Sequence, residues 1–297
     1  MPLFYRFLIY SIAGSITLMS LLVLPGVVGI LTDQSALSDS QAGLAASAGF
    51  LGSALIALFL AFRMHHVDLR QVALASFALA IVGDGVSALL TSSPEWFIAC
   101  RFLTGLGSGA AYTAILAAFA RERHADRGYG LFITIQFLIS GIGLYVLPVF
   151  SDHITGRGLY LGFALLDLLG LLLCFYLPSV APKSLENVLK VDELKVLLAR
   201  ATVFGVVGFA LFEAANTAQF TYVERYGVEL KMSDQQLGVA MLLGSLAGIP
   251  GAFTIVLTGS RFGYVLPITL GVVCSLIGLT LLIGVQQFSG LLLAFCL

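Results

Sequence analysis

Long apolar stretches alternate with short polar turns along the whole chain. Runs of the length a helix needs to cross a bilayer, about 17 to 25 residues, fall at 7–31, 42–62, 71–91, 96–120, 128–150, 158–178, 201–221, 236–258 and 264–284, and another apolar run opens at Phe288. None shows the alternation of a barrel strand, and a run in lipid must close its own backbone hydrogen bonds, so each predicts a helix. The pattern therefore predicts nine spans and the beginning of a tenth. The first run is too long for a secretory h-region and lacks a small-residue cleavage site, so it reads as a retained helix.

Composition agrees: 59% of the 297 residues are hydrophobic and 10% charged, with a mean hydropathy of +1.01. These values predict an all-α, polytopic integral membrane protein. Orientation follows from the basic residues. Eleven (Arg6, Arg63, Arg70, Arg121, Arg123, Arg127, Lys183, Lys190, Lys195, Arg200, Arg261) fall on the side of the N-terminus and three (Arg157, Arg225, Lys231) on the other. That bias predicts a cytoplasmic N-terminus, and the short loops suit a bacterial inner (plasma) membrane. No basic block suggests nucleic acid. Cys100, Cys174, Cys274 and Cys296 lie singly in apolar runs and read as packing residues. His65 and His66 share a loop with Asp68, but neighbouring residues on a short loop do not close a coordination shell, so no metal and no cofactor is expected.

The chain carries an internal repeat. Ser38-Asp39-Ser40-Gln41-Ala42-Gly43-Leu44 before the second span recurs as Ser233-Asp234-Gln235-Gln236-Leu237-Gly238-Val239 before the eighth, an offset of 195 residues that also carries Gly49 onto Gly244 and the first span onto the seventh. Parallel repeats of this kind mark secondary transporters. They divide the chain into a six-helix half at 1–180, a charged cytoplasmic linker at 181–200, and a second half at 201–297. In the linker, Leu185, Val188, Leu189, Leu194, Leu197 and Leu198 fit either an apolar stripe on a membrane-surface helix or a plain connector. By the same offset Leu297 stands opposite Phe102, so the second half is expected to hold helices seven to nine and the start of ten, a fragment lacking roughly 80 residues.

Two six-helix sets joined by a charged linker resemble the major facilitator superfamily (MFS), and Arg101-x3-Gly105-x-Gly107-x-Gly109 resembles its fourth-helix signature. Gly259-Ser260-Arg261-Phe262-Gly263-Tyr264 is similar to its inner-loop signature, with Ser260 where an Asp is usual and Tyr264 where an Arg is. The first-half counterpart, 62–70, is more degenerate. In the fifth span Gly141-Ile142-Gly143 and Pro148 are similar to a glycine and proline signature of antiporters, which places antiport ahead of symport. The resemblance implies a complete first six-helix half with a partial second one, a central cavity lined by helices one, four and seven, and roles in packing or gating for Gly105, Gly107, Gly109, Gly259, Arg261 and Gly263.

Ionisable and polar groups inside the apolar runs are candidate function. Arg101 lies roughly 8 Å below the end of its span at 1.5 Å per residue, within snorkelling reach of the surface. Gly105 and Gly109, one and two turns on, instead point it toward protein or a cavity. Asp84 lies at matching depth across a short turn, as either a structural partner or a coupling site. In the seventh span Glu213, Asn216, Thr217 and Phe220 fall at i, i+3, i+4 and i+7, a polar stripe that fits water and substrate or, alternatively, a seam between helices. Gln136, with Ser140 one turn on, offers neutral hydrogen bonds. Asp33 reads as a solvated loop carboxylate, and Asp167, mid-span in the sixth helix, has no explanation from sequence.

These features predict transport of a small molecule, a drug or metabolite, by alternating access coupled to protons, with Glu213 carrying the proton beside the cation of Arg101. An enzyme is disfavoured because no cluster of nucleophile, base or metal ligands gathers at one face. A sensor is disfavoured because no loop is long enough to form a domain. A truncated facilitator without transport is the remaining alternative.

Overall fold

The structure is a computed structural model that describes residues 2–35, 37–63, 67–122, 124–179, 200–258, 265–285 and 288–296. These form twelve α-helices and one 3-10 turn, Ser151–His153. Eight helices precede the 180–199 segment: α1 Leu3–Thr17, α2 Met19–Leu22, α3 Leu24–Gln34, α4 Asp39–Arg63, α5 Leu69–Leu90, α6 Pro94–Ala120, α7 Ala125–Val149 and α8 Gly156–Cys174. Four follow it: α9 Arg200–Glu229, α10 Asp234–Thr258, α11 Val265–Gly284 and α12 Phe288–Cys296. Among the described residues, six helices, α4 to α9, are long and apolar enough to cross a membrane. The protein is an integral membrane protein.

Two expectations are corrected. The first apolar run is three helices, not one. Thr17 turns its hydroxyl onto the Gly14 carbonyl (2.7 Å), Leu18 leaves helical geometry at φ −100° and ψ 6°, and Pro25 starts α3 behind Val23, where its missing N–H is tolerated. The second correction concerns the partial C-terminal half. Residues 288–296 are a wound helix packed on α10 and α11, with Leu291 buried and the Ala294 carbonyl against Gly278. A repeat offset measures spacing along the chain, and it does not register whether a short terminal helix finds a surface to pack on.

The repeated Ser-Asp-x-Gln segments are two copies of one capping box. The Ser38 and Ser233 backbone N–H groups each donate to the side chain of the Gln three residues on (3.0 Å in both), and each Gln N–H returns to the serine hydroxyl (3.3 Å in both). The boxes satisfy orphan N–H groups at the starts of α4 and α10, and Tyr222 and Arg225 near the end of α9 reach Asp39 at the start of α4, which puts both helix starts at the same face of the molecule. That face, which holds the α3–α4 and α9–α10 turns, is here the far face. The other is the N-terminal face.

The two groups of helices meet unevenly. At the far face one apolar core combines Val27, Leu31 and Phe97 with Val223, Leu237 and Met241, so both groups contribute. At the N-terminal face the core, among the described residues, is built from the first group around Tyr10, Phe77, Ile115 and Phe119. The N-terminal turns of α9 remain uncovered, with Phe204 77% and Leu211 68% exposed. Among the described residues, the two groups thus share a core at the far face and none at the N-terminal face.

Candidate translocation site

Arg101 lies in α6 at the same depth as Asp84 in α5, because the two helices are antiparallel across the 91–93 turn. Its Nη1 donates to Asp84 Oδ1 in an ion pair whose partners are 7% and 5% exposed. The guanidinium is therefore not snorkelling. It lies over the Tyr160 ring of α8, 4.8 Å from the centroid, a stacking that suits its weakly hydrated plane.

Helix α8 brings a second acid. Its buried positions, 156, 159, 160, 163, 167, 170 and 174, form one stripe at helical spacing. Tyr160 and Asp167 are two turns apart on that stripe and both face α5 and α6. Asp167 is 4% exposed, no donor reaches its Oδ2, and it lies close to Asp84 and Arg101.

In front of Arg101 lies a cavity of about 280 Å³ between the broken first run, α4 and α6, with Arg101 and Tyr160 in its wall. Ser20, Ser53, Ser108 and Tyr112 add polar groups to a mainly apolar lining. Arg101 thus stands between the cavity and two buried acids.

The glycines of α6 set this distance. A Cβ at Gly105 would overlap the Gly49 carbonyl of α4, and one at Gly109 would meet the Ser53 backbone, whereas Gly107 faces the Ser76 and Ala80 backbone of α5. The helices are close enough for Ser53 Oγ to donate to the Gly105 carbonyl (2.9 Å). Close backbone approach is the use membrane helices make of small residues.

The remaining candidates lie elsewhere. Asn216 and Thr217 line a separate cavity of about 330 Å³ beside Phe220 and Ala294. Gln136 lines another, of about 310 Å³, between α2, α7, α9 and α10. In its wall Ser140 donates to the Leu22 carbonyl (2.7 Å) and Ser245 to that of Phe137 (2.9 Å), and Phe220 borders both cavities. Glu213 is exposed, lines none of these cavities, and is not the partner of Arg101. Asp33 is exposed but paired, with Arg225 Nη1 at 2.9 Å. Gly259, Arg261, Gly263, His65, His66 and the 181–199 stripe lie outside the described residues.

Sequence reasoning missed three groups: Tyr160, the role of Asp167, and the Glu224–Arg225 pair of α9, which meets α3. The seven-residue spacing of Tyr160 and Asp167 was a readable signal. The place of Glu224 depends on contact between the two helix groups, which no local pattern encodes.

The Major Facilitator Superfamily profile matches residues 8–297. The chain belongs to the Major Facilitator Superfamily. This transporter is similar in fold to a crystal structure of a D-xylose-proton symporter, at 16% identity over 100% of this chain and 80% of that one, with a TM-score of 0.67. It is also similar to the nucleoside transporter NupG, at 14% identity over 100% and 79% of the two chains (TM-score 0.64), and to its D323A mutant, at 13% over 98% and 79% (TM-score 0.62). No curated protein sequence matches it. Family membership makes this MFS protein a secondary transporter and not an enzyme. The profile match also runs unbroken to residue 297, so the expectation of a fragment, truncated in its tenth helix, is corrected: neither fold nor match marks a break there.

Proposed function

We propose that the protein carries a small polar or anionic molecule, a drug or metabolite, across the membrane by alternating access, and that protons drive the movement. The observation that carries this reading is the position of Arg101, with a cavity on one side and the Asp84–Asp167 pair on the other. A substrate group that accepts hydrogen bonds from Arg101 competes with Asp84 for the guanidinium. Protonation of the acids weakens their hold on Arg101 and frees it for substrate. Proton and substrate therefore favour each other's binding, and the coupling is reciprocal. For an anionic substrate that sign is co-transport.

Gln136, Asn216 and Thr217 offer neutral hydrogen bonds from the far side of the pathway, where the two helix groups rock against each other. Gly105, Gly107 and Gly109 keep the cluster rigid within the first group, so rocking moves it as a unit. Basic residues at the N-terminal face support a cytoplasmic location for it in a bacterial inner membrane.

The test is proton uptake into proteoliposomes loaded with a pH dye, on addition of a panel of small carboxylates, monosaccharides and nucleosides. At least one compound is expected to draw protons across with the wild type and not with Arg101→Ala. Equal proton uptake by Arg101→Ala would refute the reading.

A further inference from the structure

Where α9 meets α3 at the far face, Glu224 is buried at 7% exposure although, among the described residues, it lines none of the cavities above and joins no ion pair. Its carboxyl occupies space that exists only because residue 29 is glycine: a Cβ there would overlap both carboxyl oxygens. Glu224 Oε2 has no hydrogen-bond partner. The adjacent cation attracts it without pairing with it, since Arg225 points its guanidinium at Asp33 Oδ1 (2.9 Å) and at the Gly29 carbonyl, with Asp39 Oδ1 3.8 Å from Nε. The charged groups facing Glu224 are Arg225 of its own helix, Asp33 of α3 and Asp234 at the start of α10. Two of the three are acids, and the one base is engaged by another carboxylate.

This seam joins the two helix groups. Beside Glu224, Tyr222 fits against Gly43 and donates to the Asp39 carbonyl (3.5 Å), and Val223 enters the shared core. A carboxylate placed here with the Gly29 backbone as its one hydrogen-bond partner and no ion pair is costly, whereas the neutral acid is tolerated. Opening the far face must part α3 from α9, and it delivers Glu224 to water, where a glutamic acid ionises near pH 4.3.

We infer that Glu224 is a proton-operated latch: its carboxyl holds a proton while the far face is closed and releases that proton to far-side water when the seam opens. In the release the carboxyl O–H bond breaks, water takes the proton, and the carboxylate stays solvated until the seam recloses on a new proton. The latch rests on alternating access but not on the Arg101 cluster. Linkage of one proton to opening shifts the open-to-closed ratio by up to about tenfold per pH unit.

The experiment is a pulsed electron spin resonance distance measurement across the far face, from Ser92→Cys to Gln235→Cys, both at exposed positions. Exposed Cys296 and partly exposed Cys274 are replaced by serine, while Cys100 and Cys174 are buried. No substrate is present, and pH is stepped from about 5 to 9. The wild type is expected to gain a longer-distance population as pH rises, and Glu224→Gln to stay short throughout. Gly29→Ala, which removes the carboxyl's seat, is expected to show the long population even at low pH. Asp84→Asn is expected to keep the wild-type response, so the latch can stand even if proton coupling at the central cluster fails. A wild-type distance that ignores pH, a Glu224→Gln response equal to wild type, or a response lost only in Asp84→Asn would each overturn the latch.

Discussion

Asp84 of α5 holds Arg101 of α6 in a buried ion pair, and Asp167 of α8 is buried close to both. One cation thus stands against two buried acids. Removing Asp84 and removing Asp167 should have different consequences, because only Asp84 is paired with Arg101.

Asp84→Ala leaves Arg101 buried without a counter-charge, which costs about 3–5 kcal/mol for broken buried pairs. Asp167→Asn keeps a hydrogen-bonding side chain beside Asp84 and should cost clearly less. Thermal unfolding in detergent checks the order. The Asp84→Ala, Arg101→Ala double variant is expected to be less destabilised than the sum of the singles.

Gly105→Ala forces a methyl group into the Gly49 carbonyl and should part α4 from α6, breaking the Ser53 hydrogen bond. The expected loss is about 1–3 kcal/mol, the range for overpacking. Gly85→Ala and Gly162→Ala add a methyl group to open space and serve as controls. A melting temperature lowered equally by all three would count against close packing at Gly105.

Asp68 caps α5 just outside the membrane-spanning segment, accepting from the Arg70 and Gln71 N–H groups (2.8 and 3.2 Å). Its carboxyl is held below the usual carboxylate value, first by the hydrogen bond from the Ser179 hydroxyl, with partial burial opposing and the two N–H groups and the Arg70 charge adding to it. A depressed folded value means the stabilisation is full above the unfolded value of about 3.9 and is lost as pH falls through the lower, folded one. Asp68→Ala should cost about 0.5–2 kcal/mol at neutral pH. The difference from wild type should shrink on acidification below about pH 4, as read from unfolding curves against pH.

Glu213 and Asp84 make opposite claims on the driving proton. Glu213 is exposed and away from Arg101, so Glu213→Gln should leave proton-linked uptake unchanged while Asp84→Asn abolishes it. The reverse result in proteoliposomes would return the coupling role to α9.

The legible features were those written in local pattern. Apolar runs gave the helices, the paired serine and glutamine segments are matched capping boxes, and the equal distances of Asp84 and Arg101 from the 91–93 turn gave their common depth. What stayed hidden depends on contacts between distant helices or on backbone breaks. The division of the first run hangs on single residues such as Thr17 and Pro25 inside an unbroken apolar stretch. Asp167 looks isolated until α8 is packed on α5. Glu213 and Glu224 share one helix, and their sequence surroundings do not tell which is covered, since burial there is supplied by Gly29 of another helix.

The most direct measurement is infrared spectroscopy of protein labelled with carbon-13 aspartate, without substrate, at neutral pH. A protonated carboxyl band that shifts with the aspartate label, and that disappears in both Asp84→Asn and Asp167→Asn, is the expected result. Absence of any such aspartic acid band in the wild type would contradict a proton carried by the two acids, and with it the proposed coupling of proton to substrate through Arg101.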